Sequence, residues 1–308
     1  MRIVFMGSSD FGIPALQQLL RKYDVAAVVS TPAQPQGRGL KLTPSPISLF
    51  AQEQKLSPIL TPADLGDPAF IESLTQAQAE LFVVVAFRIL PERVFSLPPR
   101  GTINIHGSLL PRYRGPAPIQ RAIEHGETET GVTIFRIDKG IDTGNVLLQK
   151  KCTIGPGESA PEIFSRLSDL GAQALIEAIT LIEQGSTAYA RQDASAATPA
   201  PKLKKSEAHI DWRSSAHDIF NRIRAFKPFP GTFAVLGDRR LNIDWAEPLD
   251  TQADQEPGTI VTIDKTGFSV ACGRGTLRIR RVKPEGKREM SAEEFLRGAR
   301  LSTGTRFS

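Results

Sequence analysis

Apolar positions recur along this chain in two rhythms. Over residues 1–150, short β-rich runs ("RIVFMG", "VAAVVS", "LFVVVAF", "TINIH") stand between helix-patterned stretches such as "IPALQQLLRK" and "PISLFAQEQ". Strands apolar on both faces, separated by helices, predict a mostly parallel sheet covered on each side, an α/β architecture. From Ala160 to Gln184, residues Ile163, Phe164, Leu167, Leu170, Ala174, Leu175, Ala178, Ile179 and Ile182 keep helical spacing and Gly185 follows, which predicts one long amphipathic helix with a glycine cap. The next stretch, "ARQDASAATPAPKLKKSEAHIDW", has no periodicity and reads as an interdomain linker. After it come one helical stretch ("SAHDIFNRIRAF") and five β-type runs ("GTFAVL", "LNIDWAEPL", "GTIVTID", "GFSVACG", "TLRIRRV") between Gly, Asp and Pro turns. Short, evenly spaced strands predict a small barrel. In "TLRIRRVK" the alternation breaks between Arg281 and Val282, where a bulge fits. The expected organisation is a sheet domain over 1–189, a linker over 190–206 and a barrel domain over 207–308.

Composition narrows the class. A chain of 308 residues suits one large domain plus a smaller one. Cys152 and Cys272 are far apart without C-x-x-C spacing, so neither a disulfide framework nor a zinc site is expected, and a reducing cytoplasm fits best. "MRIVFMGSSDFG" interrupts the apolar core that a signal peptide needs, and "LFVVVAF" is too short to span a bilayer, so a soluble protein with no membrane partner is expected. Charge is uneven. Residues 201–308 hold 20 Lys and Arg against 14 Asp and Glu, whereas the rest is nearly balanced, at 18 against 19. A basic C-terminal third is the pattern of a polyanion-binding appendage, although a solvated face has the same composition. Arg278 and Arg280, alternating in "TLRIRRV", are its candidate phosphate contacts.

The chemistry concentrates in "TINIHGSLLPRYRG" and "FRIDKGIDTGNVL". Asn104 and His106 project to one strand face, and Gly107 and Pro111 then turn the chain at the strand's C-terminal end, where open parallel sheets hold ligands. An imidazole becomes useful when a partner orients it, and Asp142 is the best candidate; Asp138 or Asp142 can also simply brace a Gly-rich turn, and a buried Asn-x-His can be a satisfied polar pair. "HGSLL" lacks the nucleophile-elbow pattern, and "MGSSDFG" lacks the dinucleotide glycines. His125, His209 and His217 sit among polar residues without metal-ligand spacing. Residues 30–48, "STPAQPQGRGLKLTPSPIS", form a long loop whose charged side chains are Arg38 and Lys41, able to lie along phosphates or to extend into solvent.

"NIHGSLLPRYRG" followed by "ETGVTIFRIDKGIDTG" resembles the folate-dependent formyltransferases, with "GRGLKLTPSPIS", "APIQRAI", "KLKKSEAHIDW" and "NRIRAFKPFPGT" in the same order, from Arg2 to about Leu296. The resemblance implies a Rossmann-like catalytic domain and a C-terminal barrel of OB type that helps to hold methionyl-initiator tRNA. It implies formyl transfer from 10-formyltetrahydrofolate to the methionyl α-amine for translation initiation, with no metal and no obligatory protein partner. Carried over residue by residue, Asn104, His106 and Asp142 are catalytic, and Ser108, Leu109, Leu110 and Pro111 line the folate. "VVVAFRILP" matches the strand end that cradles the pterin, assigning Phe87, Arg88, Ile89 and Leu90 to the co-substrate; it is one residue shorter than the commoner "AYG-x-ILP" form. "SSDF" stands where "TPDF" is more usual. Arg38, Lys41, Arg278 and Arg280 are the residues assigned to tRNA. Two other classes fit parts of the pattern: a small-amine formyltransferase, which has no need of the basic third, and a non-catalytic RNA-binding protein, which leaves Asn104, His106 and Asp142 without purpose.

Overall fold

The doubly apolar runs become the central strands of a seven-stranded sheet. The computed structural model describes residues 1–36, 41–299 and 301–308, in two units: Met1–Pro118, Glu129–Thr153 and Phe164–Pro201 make up the first, and Ile119–Thr128, Ile154–Ile163 and Lys202–Ser308 the second. Strands of the first unit are β1 (Arg2–Gly7), β2 (Asp24–Val29), β3 (Gln34–Gln36), β4 (Lys41–Thr43), β5 (Ile59–Leu60), β6 (Leu81–Val85), β7 (Thr102–His106), β8 (Glu129–Arg136) and β9 (Val146–Thr153). The sheet order is β5-β2-β1-β6-β7-β8-β9, while β3 and β4 form a separate hairpin. Pairing is parallel from β5 to β7 and antiparallel from β7 through β9. Chain order reverses between β1 and β6, and the Ser8 hydroxyl donates across that point to the Ala86 carbonyl at 2.8 Å.

Alternate residues of these strands face two cores. Val4, Met6, Phe82 and Val84 pack with Phe70 and Leu74 of the helix Pro68–Gln76. Ile103 and Ile105 point the other way, toward the helix Ala160–Glu183, which approaches so closely that a Cβ at Gly171 would lie 2.9 Å from Ile105 Cγ2. Leu167, Ala174, Leu175, Ala178, Ile179 and Ile182 of that helix are buried, as its spacing predicts, and Gly185 caps it at φ +66°. Among the described residues no helix is long and apolar enough to cross a membrane.

Residues 190–200, whose composition reads as linker, are bonded along their length to the first unit. Val146 and Ala190 exchange two backbone hydrogen bonds of 2.8 Å, Arg114 N–H donates to Thr198 O at 2.8 Å, and Ala200 N–H donates to Arg114 O at 2.6 Å. Ala200 is fully buried. Low hydrophobicity hides such a segment because its order comes from backbone pairing, which any residue other than proline can supply.

The second unit carries β10 (Phe233–Leu236), β11 (Arg239–Leu249), β12 (Ile260–Asp264), β13 (Gly267–Ala271), β14 (Thr276–Pro284) and β15 (Met290–Ser291), antiparallel in the order β10-β11-β14-β13-β12 with β15 on β14. The register runs Ile243 with Val282, Trp245 with Arg281, and Ala246 with Ile279, leaving Asp244 and Arg280 as extra residues. The shift at Asp244 falls opposite the Arg281–Val282 step where the alternation breaks in the sequence, the second one residue earlier at Arg280, and together they let both Ile279 and Val282 face the core. Residues 304–308 join the two sheet edges. Ile260 N–H donates to Thr305 O and Phe307 N–H to Gly258 O, both at 2.8 Å, while Val235 and Ser308 exchange bonds of 2.9 and 3.0 Å. The sheet thereby closes as the predicted barrel. Phe307, 2% exposed, sits 5.8 Å from the Trp212 ring and 6.0 Å from that of Phe268.

Two stability outcomes follow from these contacts. Phe307→Ala empties an aromatic site that the closure depends on and should cost about 3–5 kcal/mol in urea unfolding of the second unit. Gly131→Ala places a Cβ 2.2 Å from Lys150 O and 2.5 Å from Leu109 Cδ2, and should destabilise the first unit by about 1–3 kcal/mol in the same measurement.

Candidate active site

Strand register decides which side chains meet at the end of β7. Val84 pairs with Asn104, so Asn104 lies on the sheet face of Phe82 and Val84, and His106 follows on that face. The Asn104 Oδ1 is buried with no hydrogen-bond partner. Such an orphan inside a folded chain costs free energy unless something else meets it.

His106 is 6% exposed and held on both sides. Its Nε2 lies 2.8 Å from the Tyr113 carbonyl, which can only accept, so Nε2 carries the proton of that bond. Its Nδ1 faces Asp142 Oδ2 at 3.6 Å, too long for a direct hydrogen bond but short enough for both atoms to reach one common partner. Asp142 Oδ2 also accepts from the Gly115 N–H at 2.8 Å. The two aspartates divide their roles: Asp138 Oδ1 accepts from Gly140 N–H at 3.0 Å and from the Thr143 hydroxyl at 2.6 Å, which shapes the turn, and Asp142 turns to the histidine.

Backbone conformation supports the placement. Among the described residues, five non-glycine residues have left-handed φ, and three of them, Ala86 (+47°), Tyr113 (+61°) and Asp142 (+53°), surround this site. Strained positions of this kind persist where neighbours over-determine them. Gly144 is required beside Asp142, because a Cβ there would fall 1.7 Å from Arg136 O.

The turn after β7 is fixed from below. Thr133, fully buried, donates to Ser108 O at 2.6 Å and accepts from Leu110 N–H at 3.0 Å, and Gln149 Nε2 donates to Leu110 O at 2.8 Å. The Ser108 hydroxyl donates to Arg112 O at 2.6 Å, so its observed part is to brace the turn. Leu110 is buried, and Leu109 and Pro111 are half-buried. At the end of β6, Phe87 is half-buried, Leu90 is in the core and Ile89 is 75% exposed. Arg88 reaches backward, donating to Ala63 O at 2.9 Å and Pro62 O at 2.6 Å, and desolvation holds its guanidinium below the usual arginine range.

The candidate phosphate contacts are placed differently. Lys41 is exposed on the β3–β4 hairpin; Arg38 lies outside the described residues. Arg278 is 7% exposed and bonded to Asp264 at 2.5 Å, and Arg280 bonds Glu247 through Nε at 2.9 Å and Nη2 at 2.8 Å. The Thr266 N–H, followed by Arg278, holds the Asp264 carboxyl at a pKa of about 2. Among the described residues, cations outside any ion pair include Arg239, Arg240, Lys283 and Lys287, exposed at one end of the β11–β14 pair beside Asp238 and Glu285, where Asn242 registers with Lys283; Arg240 donates from Nε to Asn242 Oδ1 at 2.8 Å and lies 3.8 Å over the Phe233 ring. Among the described residues no His, Cys, Asp or Glu cluster could hold a metal ion.

The Formyl transferase family model matches residues 1–179, and the model "Formyl transferase, C-terminal domain" matches residues 202–300. The methionyl-tRNA formyltransferase of Geobacter metallireducens is 41% identical, covering 99% of this chain and 97% of its own. Among solved structures, the methionyl-tRNA formyltransferase from Clostridium thermocellum has a TM-score of 0.57 at 19% identity, covering 92% of this chain and 98% of its own. The N-formyltransferase from Helicobacter canadensis, in complex with folinic acid and dTDP-3-aminofucose, has a TM-score of 0.66 at 18% identity, covering 90% and 97%. The structural likenesses establish the fold. Two matching models and 41% identity sustained over nearly the whole length of the chain establish more: the chain belongs to the formyl transferase family.

Proposed function

We propose that this protein transfers the formyl group of 10-formyltetrahydrofolate to the α-amine of methionyl-initiator tRNA, in the cytoplasm. The observation that carries the reading is the 41% identity, sustained through both units, to a relative of that name. Kinship to enzymes acting on sugar amines, such as the Helicobacter protein, extends to fold at 18% identity.

The chemistry asks for what the β7 end offers. A formamide carbon is a weak electrophile, and attack by an amine puts negative charge on its oxygen. Donors fixed at that oxygen are the largest lever available. The Asn104 carboxamide supplies one through its Nδ2–H group, from the sheet face it shares with His106. The His106 Nδ1–H supplies the other, since Nε2 is engaged by Tyr113 O. Asp142, at 3.6 Å from Nδ1, takes the proton leaving the amine, directly or through a water it holds, and returns it to the departing N10. One C–N bond forms as one breaks, and the proton balance closes. An α-amine with a reference pKa of about 8 is partly neutral at cellular pH, so no strong base is required. Ser108, Leu109, Leu110 and Pro111 with Phe87, Ile89 and Leu90 are the folate-side walls, and Arg88 holds its loop in place.

Transfer RNA is a polyanion, and the second unit meets it through cations that no carboxylate already binds. Arg239, Arg240 and Lys283 fit that role better than Arg278, whose charge is paired and buried. Arg38 and Lys41 of the long loop are assigned to acceptor-stem phosphates.

Incorporation of labelled formyl into methionyl-tRNA, and not into free methionine or an amino sugar, tests the activity itself. Asn104→Ala should lower kcat by roughly 10²- to 10³-fold with either KM nearly unchanged, and His106→Ala and Asp142→Ala should fall in the same class and combine non-additively; losses confined to KM would refute the triplet. For tRNA binding, Arg239→Ala, Arg240→Ala and Lys283→Ala should each flatten the log–log salt slope by up to about one unit. Arg278→Ala should chiefly lower the melting temperature, and a slope that only Arg278→Ala alters would reverse the assignment.

A further inference from the structure

Between the loops that carry His106's partners lies one side chain with both ends of its carboxamide in use. Gln192, 9% exposed, donates from Nε2 to the main-chain carbonyls of Asp142 at 2.9 Å and Gly144 at 2.7 Å. Its Oε1 accepts from Arg114 Nε at 3.1 Å and Nη2 at 2.7 Å. A guanidinium has donors only, so Arg114 fixes which end of the amide is oxygen, and Nε2 must face the carbonyls. Arg114 itself sits between Tyr113, whose carbonyl holds His106, and Gly115, whose N–H holds Asp142. Its own backbone is bonded to Thr198 and Ala200 on the segment that carries Gln192.

We propose that Gln192 is a positioning residue, locked in orientation by Arg114, that sets where the Asp142 carboxylate stands relative to His106. The assignment rests on the catalytic reading of the triplet given above. The Asp142 backbone is left-handed at φ +53°, a conformation held only by surrounding bonds, and Gln192 provides the two from the loop's own carbonyls. Without them the loop relaxes and the 3.6 Å spacing is lost. A displacement on that scale acts on the reaction step, where about 1 Å of misplacement can cost 10²-fold, rather than on ground-state binding.

Gln192→Met keeps the side-chain volume and removes all four hydrogen bonds. Gln192→Glu keeps the size and the Arg114 pair but sets a carboxylate oxygen against two carbonyls. Both variants should lower kcat at least about tenfold, with KM for methionyl-tRNA and for the formyl donor within about twofold and with cooperative unfolding retained. Under single-turnover conditions in an Asp142→Ala background, the same substitutions should cost less than about twofold, because the group they position is gone. Wild-type kcat in both variants, a loss confined to KM, or an undiminished loss in the Asp142→Ala background would overturn the proposal, the last because it marks a merely structural role. Should Gln192→Met or Gln192→Glu fail to fold, Arg114→Lys, which keeps the charge and loses the paired donation, is read by the same split. The two readings separate cleanly: wild-type kcat in Asp142→Ala itself would remove the catalytic assignment, whereas an impaired Asp142→Ala beside fully active Gln192 variants would remove only the role of Gln192.

Discussion

A strand that buries Ile103 and Ile105 against a helix has no freedom over where residues 104 and 106 point. That parity is the constraint from which the site grows. It directs Asn104 and His106 to one face of the sheet, at the end where parallel strands release their loops, and every later interaction at the site refines their placement. Tyr113 fixes one ring nitrogen, Asp142 faces the other, and Thr133 with Gln149 ties down the turn between them and the rest of the chain. The cost of those polar side chains at a sheet end is met by burying both faces of the neighbouring strands.

Much of this is legible in the sequence. Hydrophobic periodicity locates β1, β2, β6, β7, the helix Ile13–Lys22 and the five barrel strands, because each has its own apolar pattern and turn residues. The i, i+2 spacing of Asn104 and His106 carries its geometry in the sequence. Other features carry no local signal. Gln192 is one polar residue in a stretch rich in Ala, Ser and Pro, and its importance comes from Arg114, 78 positions away. The order of residues 190–200 is likewise a property of the backbone they pair with, and it converts an apparent tether into a wall of the site.

The arginines of the barrel teach a second limit. Composition records that the last third is basic, but it does not record which cations already face a carboxylate across the sheet. Arg278 and Arg280 alternate with Leu277 and Ile279 as an exposed basic ladder would, yet Asp264 at the end of β12 and Glu247 on β11 answer them. Net charge therefore records an excess of cations without recording which of them stay available to a polyanion. Among the described residues, Arg239, Arg240 and Lys283, outside any ion pair, come together where β11 and β14 end, a place definable only once register is known.

The closure of the barrel by residues 304–308 bears on how this protein is made. Strands β10 and β12 leave the ribosome with open edges, and each waits for a partner synthesised after every strand it joins. The first unit has its last wall by Pro201 and can fold while synthesis continues, whereas the second stays unsealed until residues 304–308 have emerged. Any residues placed directly behind Ser308 would begin at the seam itself.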